Sequence, residues 1–173
     1  SMTEFCQQHD IAHDVCGKLV IATESVELLR LEAMLERGRA NGLNGLRRLS
    51  PEQALEIEPH ARCVGAILVP EEGITDYAAV CAALQQEVEA AGGDIVLGAG
   101  VKKLVRESGG WLVASAVGDF TSRVIVNCAG LHSDRVTAMA GDRPPCRILP
   151  FRGEYLRLRP EREHLVRNLI YPL

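Results

Sequence analysis

The sequence lacks several features that define large classes of proteins. Among its 173 residues, no apolar run approaches the roughly 20 residues that cross a bilayer, and no basic and apolar signal segment opens the chain. The formal net charge is −4, which argues against the concentrated basic face that nucleic acid requires. These absences predict a soluble, cytoplasmic protein that does not bind nucleic acid, with peripheral contact to an inner membrane left open.

Cysteines are present, but their spacing does not pair them. Six cysteines are spread along the chain without a Cys-x-x-Cys motif, which argues against a disulfide scaffold or a zinc ribbon. The one ligand-like arrangement is Cys6, His9, His13 and Cys16, in which helical spacing could place neighbouring members on one face. No second ligand cluster supports it, so we interpret these residues as thiols and surface histidines and expect no metal site.

A Gly-x-Gly-x-x-Gly motif after a strand is also absent. Without it, the chain lacks the pyrophosphate-binding turn of a dinucleotide-binding fold. Residues 170–173 are apolar and resemble the middle of a strand, whereas a natural terminus is usually polar and frayed. We therefore interpret the chain as an internal fragment of a larger enzyme.

Hydrophobic periodicity and turn residues predict a mixed α/β chain. Apolar stretches bounded by Gly or Pro predict strands at 18–22, 46–49, 64–69, 94–97, 104–105, 111–113, 124–126 and 147–158. Capped amphipathic stretches predict helices at 2–9, 24–40, 51–58, 77–91 and 135–140, with Thr23, Ser50 and Asp76 as N-caps of the second, third and fourth. Val80, Leu84 and Val88 are predicted to form the inner face of the helix at 77–91.

The most informative stretch is the predicted strand at 124–126 and the residues after it. Three consecutive β-branched residues predict a strand buried on both faces of a parallel sheet. Asn127, Cys128, Ala129 and Gly130 follow, and then a polar entry into a helix. A strand that ends in small residues before a helix exposes backbone N–H groups, which suits a phosphate or an electron-rich ring.

Four tracts in this order resemble the L-2-hydroxyglutarate dehydrogenase/oxidase family, which belongs to the FAD-dependent, D-amino-acid-oxidase-like superfamily. The tracts are residues 16–23, 73–77, 127–135 and 150–155. The last, containing Phe-Arg-Gly-Glu-Tyr, is the most specific, together with Leu-Ile-Tyr-Pro at 169–172. The N-terminal FAD fingerprint and the C-terminal segment of the family are absent.

The resemblance implies a mixed α/β (α+β) fold: a partial Rossmann-like FAD-binding domain plus part of a mixed-sheet substrate domain. Residues 1–75 would form a portion of the substrate domain. Residues 76–141 would form a portion of the FAD-binding domain, and residues 142–173 would begin the substrate-domain sheet. FAD would bind the full-length enzyme, and we expect it to be absent from this fragment alone.

The resemblance also implies roles for individual residues. Val101 matches a position whose backbone meets the adenine, and the turn of Cys128, Ala129, Gly130 and Leu131 lies beside the cofactor. The substrate would be a small dicarboxylate, an L-2-hydroxy acid that loses a hydride from C2. Arg152 is the candidate carboxylate anchor, because guanidinium binds carboxylate bidentately, and Tyr155 is a candidate hydrogen-bonding partner.

Each of these roles has an alternative. Arg152 could instead pair with Glu154, and Tyr155 could be an ordinary strand aromatic. His60 and His132 are the candidate catalytic bases, but His132 could cap the following helix and His60 could lie on the surface. A base outside the fragment also remains open. The competing functions are an amine or amino-acid oxidase of the glycine/sarcosine-oxidase type and a non-enzymatic interaction module. A fragment would also expose strand edges through which it could oligomerise.

Overall fold

The computed structural model describes residues 1–173, and helices and strands alternate along them. In chain order the elements are α1 (Met2–Gln8), β1 (His13–Asp14), β2 (Lys18–Ala22), α2 (Leu28–Ala40), β3 (Arg47–Leu49), α3 (Pro51–Ile57), β4 (Gly65–Val69), β5 (Ile74–Thr75), α4 (Tyr77–Ala90), β6 (Val101–Glu107), β7 (Gly110–Ser115), β8 (Asp119–Ser122), α5 (Ser133–Met139) and β9 (Leu169–Pro172). The chain divides into a first unit, Ser1–Glu87 with Arg157–Leu173, and a second unit, Val88–Leu156. None of the helices has the length and apolar character needed to cross a membrane.

The first unit is built on a four-stranded sheet in the order β3-β4-β2-β9. Strand β4 is antiparallel to β2 and β3, whereas β9 runs parallel to β2, with Leu169 opposite Lys18. Alternate residues of β2 and β4 enter two different clusters. One, which includes Leu19 and Leu68, packs with α3, and the other, which includes Val20 and Ile67, packs with α2. Both faces are covered, which explains why β2 and β4 are continuous apolar runs.

The start of α3 forms as the sequence predicts. The Ser50 side chain accepts a hydrogen bond from the Gln53 backbone N–H (3.3 Å), and the Gln53 side chain accepts one from the Ser50 N–H (2.9 Å). This reciprocal pair satisfies two N–H groups that an α-helix leaves without partners. The predicted capping box is confirmed.

The predicted N-cap at Thr23 is wrong. A short 3-10 helix, Ser25–Glu27, precedes α2, and the carboxylate of Glu27 accepts hydrogen bonds from the backbone N–H groups of Thr23 (2.7 Å) and Glu24 (3.1 Å). The backbone N–H groups of Glu24 and Thr23 therefore hold the pKa of Glu27 below its ordinary value. A carboxylate accepts these bonds more strongly than a threonine hydroxyl does.

Helix α4 packs against α1 over only part of its length. The Asp76 carboxylate caps α4 by accepting from the N–H groups of Ala78 and Ala79 (3.0 and 3.1 Å), as predicted. The buried residues of α4 are Val80 and Ala83. Leu84 and Val88, predicted to face inward, are exposed. Helix α1 has only seven residues and spans about 10 Å, so it covers roughly half of α4.

The second unit contains an antiparallel sheet in the order β6-β7-β8, and α5 packs against β6. The turn between β6 and β7 requires glycine at position 110, where φ is 151° and a Cβ would clash with the carbonyl oxygen of Ser122. Leu104 on β6 is the buried hydrophobic residue of this unit. The strands predicted at 104–105 and 111–113 are confirmed.

Three predicted strands do not form, at 94–97, 124–126 and 147–158. The third strand of the hairpin sheet is β8, Asp119–Ser122, and residues 124–126 follow it without a ladder partner, so Val126 is 81% exposed. The prediction that residues 124–126 are buried on both faces is therefore wrong for this chain. β-branched residues favour a strand only where a neighbouring strand supplies hydrogen bonds and packing.

The predicted domain boundaries near 75/76 and 141/142 stay a prediction, because the compact units reflect packing and not function. One element nevertheless links the two parts assigned to the substrate domain. Strand β9, from residues 142–173, hydrogen-bonds to β2, from residues 1–75.

Candidate functional site

Asn127 organises the turn that the sequence singles out. Its side-chain N–H₂ donates to the carbonyl of Ser133 (2.8 Å) and to the hydroxyl of Thr137 (3.2 Å), and its Oδ1 accepts from the backbone N–H of Ala129 (3.2 Å). One side chain thus joins the end of the extended segment to α5. An amide can do this because it carries donors and an acceptor at once.

The tip of the turn is open. Gly130 has φ of 54°, and a Cβ built on it would have no protein atom within 4 Å. Cys128, Ala129 and Leu131, on either side of it, are exposed. The chain therefore leaves bare backbone with space above it, which fits the edge of a planar ring system such as that of a flavin.

Asp134 connects α5 to the segment before the Phe-Arg-Gly-Glu-Tyr tract. Its Oδ2 accepts from the backbone N–H of Ile148 (3.1 Å), and its Oδ1 accepts from the N–H of Arg135 (2.8 Å). The hydrogen bond from Ile148 is the main reason that the pKa of Asp134 lies below its ordinary value. This link spans 14 residues, so helical periodicity alone does not reveal it.

His132 and Val101 also lie in the second unit. His132 occupies the N-cap position of α5, but its side chain makes no capping hydrogen bond, so the capping alternative is not realised. Val101 begins β6 at a register irregularity between Val101 and Lys103, and its side chain is exposed. Helix α5 packs against β6, so the strand that begins at Val101 and the helix that follows the turn support each other.

Arg152 and Tyr155 lie in an extended segment with no strand partner. Tyr155 is 97% exposed, so it is not an ordinary strand aromatic in this chain. Arg152 makes no ion pair with Glu154; the ion pair of this region joins Arg157 to Glu163 at 3.9 Å. Both side chains are exposed, and nothing in the chain fixes them.

His60 lies in the first unit, in the turn between α3 and β4. It lines an open cleft of about 480 Å³ together with Pro51, Leu55, Pro59, Ala61, Arg62 and Cys63. The cleft presents an imidazole, a guanidinium and a thiol beside an apolar wall. His132 thus lies at the turn at 128–131 in the second unit, and His60 lies in a cleft of the first unit.

The residues of the ligand-like arrangement near the N-terminus each have protein partners or stay apart. His9 contacts Glu87 at 2.9 Å, the His13 ring contacts the carbonyl of Ile11 at 2.8 Å, and the Cys6 thiol contacts the Thr75 hydroxyl at 3.2 Å. No group of three or more potential metal ligands is formed in the chain.

Sequence reasoning assigned no role to Asn127, Asp134 or Glu58. Asn127 and Asp134 stand inside a recognised tract, so their position was a usable signal. Glu58 is buried and bonded to residues more than 100 positions away, and nothing in its local sequence indicates this.

Among known protein families, the one described as FAD dependent oxidoreductase matches this chain over residues 1–173. The L-2-hydroxyglutarate dehydrogenase of Indibacter alkaliphilus is 37% identical over 99% of this chain and 43% of its own length. The mitochondrial L-2-hydroxyglutarate dehydrogenase of Homo sapiens is 38% identical over 98% of this chain and 39% of its own length. The chain therefore spans about two fifths of the relatives it matches.

Solved structures give the same fold. Glycine oxidase from Geobacillus kaustophilus matches with a TM-score of 0.70 at 24% identity, over 81% of this chain and 40% of that one. The dithionite-reduced L-alpha-glycerophosphate oxidase from Mycoplasma pneumoniae, with FAD bound, matches with a TM-score of 0.61 at 25% identity, over 72% of this chain and 35% of that one. The predicted mixed α/β fold and the family resemblance are confirmed: the chain belongs to the FAD-dependent oxidoreductase family.

Proposed function

We propose that this chain is part of an FAD-dependent enzyme that oxidises an L-2-hydroxy diacid, with L-2-hydroxyglutarate as the first candidate, to the 2-oxo acid. The observation that carries the proposal is identity of 37–38% to L-2-hydroxyglutarate dehydrogenases over 98% or more of this chain. The structural likeness to a glycine oxidase and to an L-alpha-glycerophosphate oxidase supports the fold but not the substrate.

The turn at Cys128, Ala129, Gly130 and Leu131 would lie against the flavin. Asn127 would hold this turn to α5, so that its shape is set before the cofactor binds. The bound flavin would supply the hydride acceptor, which is chemistry that protein side chains lack. Val101 would meet the adenine end through its backbone.

Substrate recognition would rest on residues that can neutralise two carboxylates. Arg152 offers a planar guanidinium that makes no ion pair in this chain, and Tyr155 offers a hydroxyl three residues later. Since nothing fixes these side chains here, we expect them to become ordered only in the full-length enzyme, where further chain can cover them.

A base must take the proton of the substrate hydroxyl as the hydride leaves C2. His132 follows the flavin-side turn directly, whereas His60 lines the cleft of the first unit. Both remain candidates, and a base from outside these residues is the third possibility.

The test uses the full-length enzyme that carries these residues, loaded with FAD and supplied with an artificial electron acceptor. We expect turnover of L-2-hydroxyglutarate with formation of 2-oxoglutarate, and far slower turnover of the D-enantiomer. Glycine and sarcosine serve as the matched amine substrates. Turnover of an amine and not of the hydroxy acid would replace this proposal with an amine-oxidase function.

The 173-residue chain alone is expected to bind FAD weakly, because it contains no Gly-x-Gly-x-x-Gly turn for the pyrophosphate. Titration of the purified chain with FAD, followed by the visible flavin spectrum, checks this expectation. Stoichiometric binding with a shifted spectrum would show that the turn at 128–131 and its surroundings are sufficient.

A further inference from the structure

Glu58 is the one charged side chain that is fully buried in this chain, with 0% of its surface exposed. Its Oε1 accepts hydrogen bonds from two consecutive backbone N–H groups, those of Arg167 (2.9 Å) and Asn168. Its Oε2 has no hydrogen-bond partner. These hydrogen bonds join residues that are more than 100 positions apart in the sequence. They matter because burying a carboxyl group is unfavourable unless it is hydrogen-bonded.

The same residue also fixes the turn that follows α3. Its backbone N–H donates to the carbonyl of Ala54 (2.9 Å), and its own carbonyl accepts from the N–H of Ala61 (3.0 Å), which closes the turn containing His60. The two amides bound by its side chain directly precede β9, which begins at Leu169. Glu58 therefore joins the His60 turn to the point where β9 enters the sheet.

Strand β9 has another strand on one side only, so its position depends on few backbone hydrogen bonds. It lies at the edge of the sheet and pairs only with β2, over residues from Lys18 to Ile21. The Tyr171 ring on β9 lies 5.8 Å from the ammonium of Lys18, which is itself bonded to Glu72 at 3.0 Å. The position of Tyr171 thus depends on where β9 begins.

General stability does not explain why this group is a carboxylate. A buried charge usually adds little net stability over an apolar residue of similar size, whereas its directional bonds select one arrangement. The amides of Arg167 and Asn168 are adjacent and both donate to one oxygen of Glu58, so the two hydrogen bonds together define the path of the backbone.

We propose that Glu58 is a positioning residue whose carboxylate fixes the entry of β9 into the sheet. Resting on the proposed function, this placement also fixes one end of the segment that leads from the candidate substrate residues, since Arg167 lies 12 residues after Tyr155. Loss of the acceptor oxygen would then weaken substrate binding more than the chemical step.

The structural half is tested by amide hydrogen exchange and by trypsin cleavage after Arg167, neither of which depends on activity. We expect Glu58→Ala to raise exchange at residues 167–171 by at least about tenfold, while the amides of β3 and β4 stay protected. Glu58→Gln keeps an oxygen that can accept both amides and should restore protection. Glu58→Asp keeps the charge but is one methylene shorter and should behave like Glu58→Ala.

Glu56→Ala is the matched control, because Glu56 lies two residues before Glu58, at the end of α3, but is exposed. Unchanged exchange at residues 167–171 in both Glu58→Ala and Glu58→Asp would overturn the proposal. So would an equal loss of protection in β3, β4 and β9, since that is the result of general destabilisation. If Glu58→Ala does not fold, the comparison of Glu58→Asp with Glu58→Gln decides the same question.

The functional half is measured on the FAD-loaded full-length enzyme. In Glu58→Ala we expect the KM for L-2-hydroxyglutarate to rise about tenfold with kcat changed less than about threefold, and Glu58→Gln to recover most of the loss. Normal KM despite a released β9 would overturn the link to substrate binding. A wild-type enzyme that does not oxidise L-2-hydroxyglutarate would refute the proposed function, and the exchange data would still judge the role of Glu58 in the fold.

Discussion

Gly130 is the residue at which conformation and proposed function are most closely joined. Its φ of 54° suits glycine, and an added methyl group would enter open space and not protein. We expect Gly130→Ala to cost about 1 kcal/mol in folding through backbone strain, but to weaken FAD binding by about tenfold or more in the full-length enzyme. Fluorescence titration with FAD measures the second effect.

Gly92→Ala is the control for this prediction. Gly92 has φ of 80° and likewise nothing within 4 Å of a built Cβ, but it ends α4 and lies outside the turn. It should show similar strain without loss of flavin affinity. Equal effects of the two substitutions on affinity would show that Gly130 does not lie against the cofactor.

The hydrogen bond between the Asp134 carboxylate and the Ile148 N–H depends on pH. Because the hydrogen bond from Ile148 lowers its pKa in the folded state, its stabilising contribution is complete above the ordinary aspartate value of about 3.9. The contribution is lost as the pH falls through the lowered folded-state pKa. The NMR shift of the Ile148 amide should therefore titrate with a midpoint below about 3.9.

Asp134→Asn is the matched variant for that titration. The asparagine oxygen can still accept a hydrogen bond, but the side chain carries no titrating carboxyl group. The Ile148 amide shift should then become flat over the same pH range. A titration that persists in this variant would assign the effect to another group.

At the scale of elements, α2 stabilises one face of the main sheet through a narrow apolar stripe. Leu31 is 0% exposed, whereas Leu29, two residues earlier on the same helix, is 83% exposed. We expect Leu31→Ala to lower the free energy of unfolding of the first unit by about 2–5 kcal/mol, because it leaves a cavity against β2 and β4. Leu29→Ala should change it by less than about 0.5 kcal/mol. Urea unfolding measures both, and similar losses would show that α2 does not pack as described.

Elements with local signals were predictable from the sequence, and elements that depend on distant partners were not. Some features are encoded in neighbouring residues of the sequence. They are the capping box of Ser50 and Gln53, the N-cap at Asp76 and the apolar runs of β2 and β4. The stretch at 124–126 carries an equally strong β pattern, yet no strand lies beside it. β-propensity describes how well a residue fits into a sheet, but a strand forms only where another part of the chain pairs with it.

The candidate site was predictable to a similar degree. The sequence predicts the turn at 128–131 because glycine and small residues after an apolar run indicate a turn with exposed backbone. The links made by Asn127, Asp134 and Glu58 were not found, because each is a hydrogen bond between a side chain and a backbone group elsewhere. Such bonds have no periodicity that a single sequence could reveal.

For the whole molecule, the exposed apolar segments of the second unit predict self-association. Residues 124–126 and the segment around Tyr155 and Leu156 present large hydrophobic side chains without cover. We expect the 173-residue chain to show concentration-dependent association by light scattering. Val126→Lys should reduce it, since a charge on an unpaired extended segment opposes pairing between chains.

Val117→Lys is the control for this effect, because Val117 is also exposed but lies in the turn between β7 and β8, whose strands are already paired. It should leave association unchanged. A monomeric chain at all concentrations would show that the uncovered segments are not adhesive.

The parallel pairing of β2 with β9 has a consequence for synthesis on the ribosome. The two strands are separated by about 150 residues, which at the usual 5–20 residues per second is a delay of about 8 to 30 seconds. During that interval the nascent polypeptide presents one edge of β2 with its backbone groups unmatched. Chaperones that recognise extended apolar backbone would bind there, and release would have to coincide with the synthesis of β9.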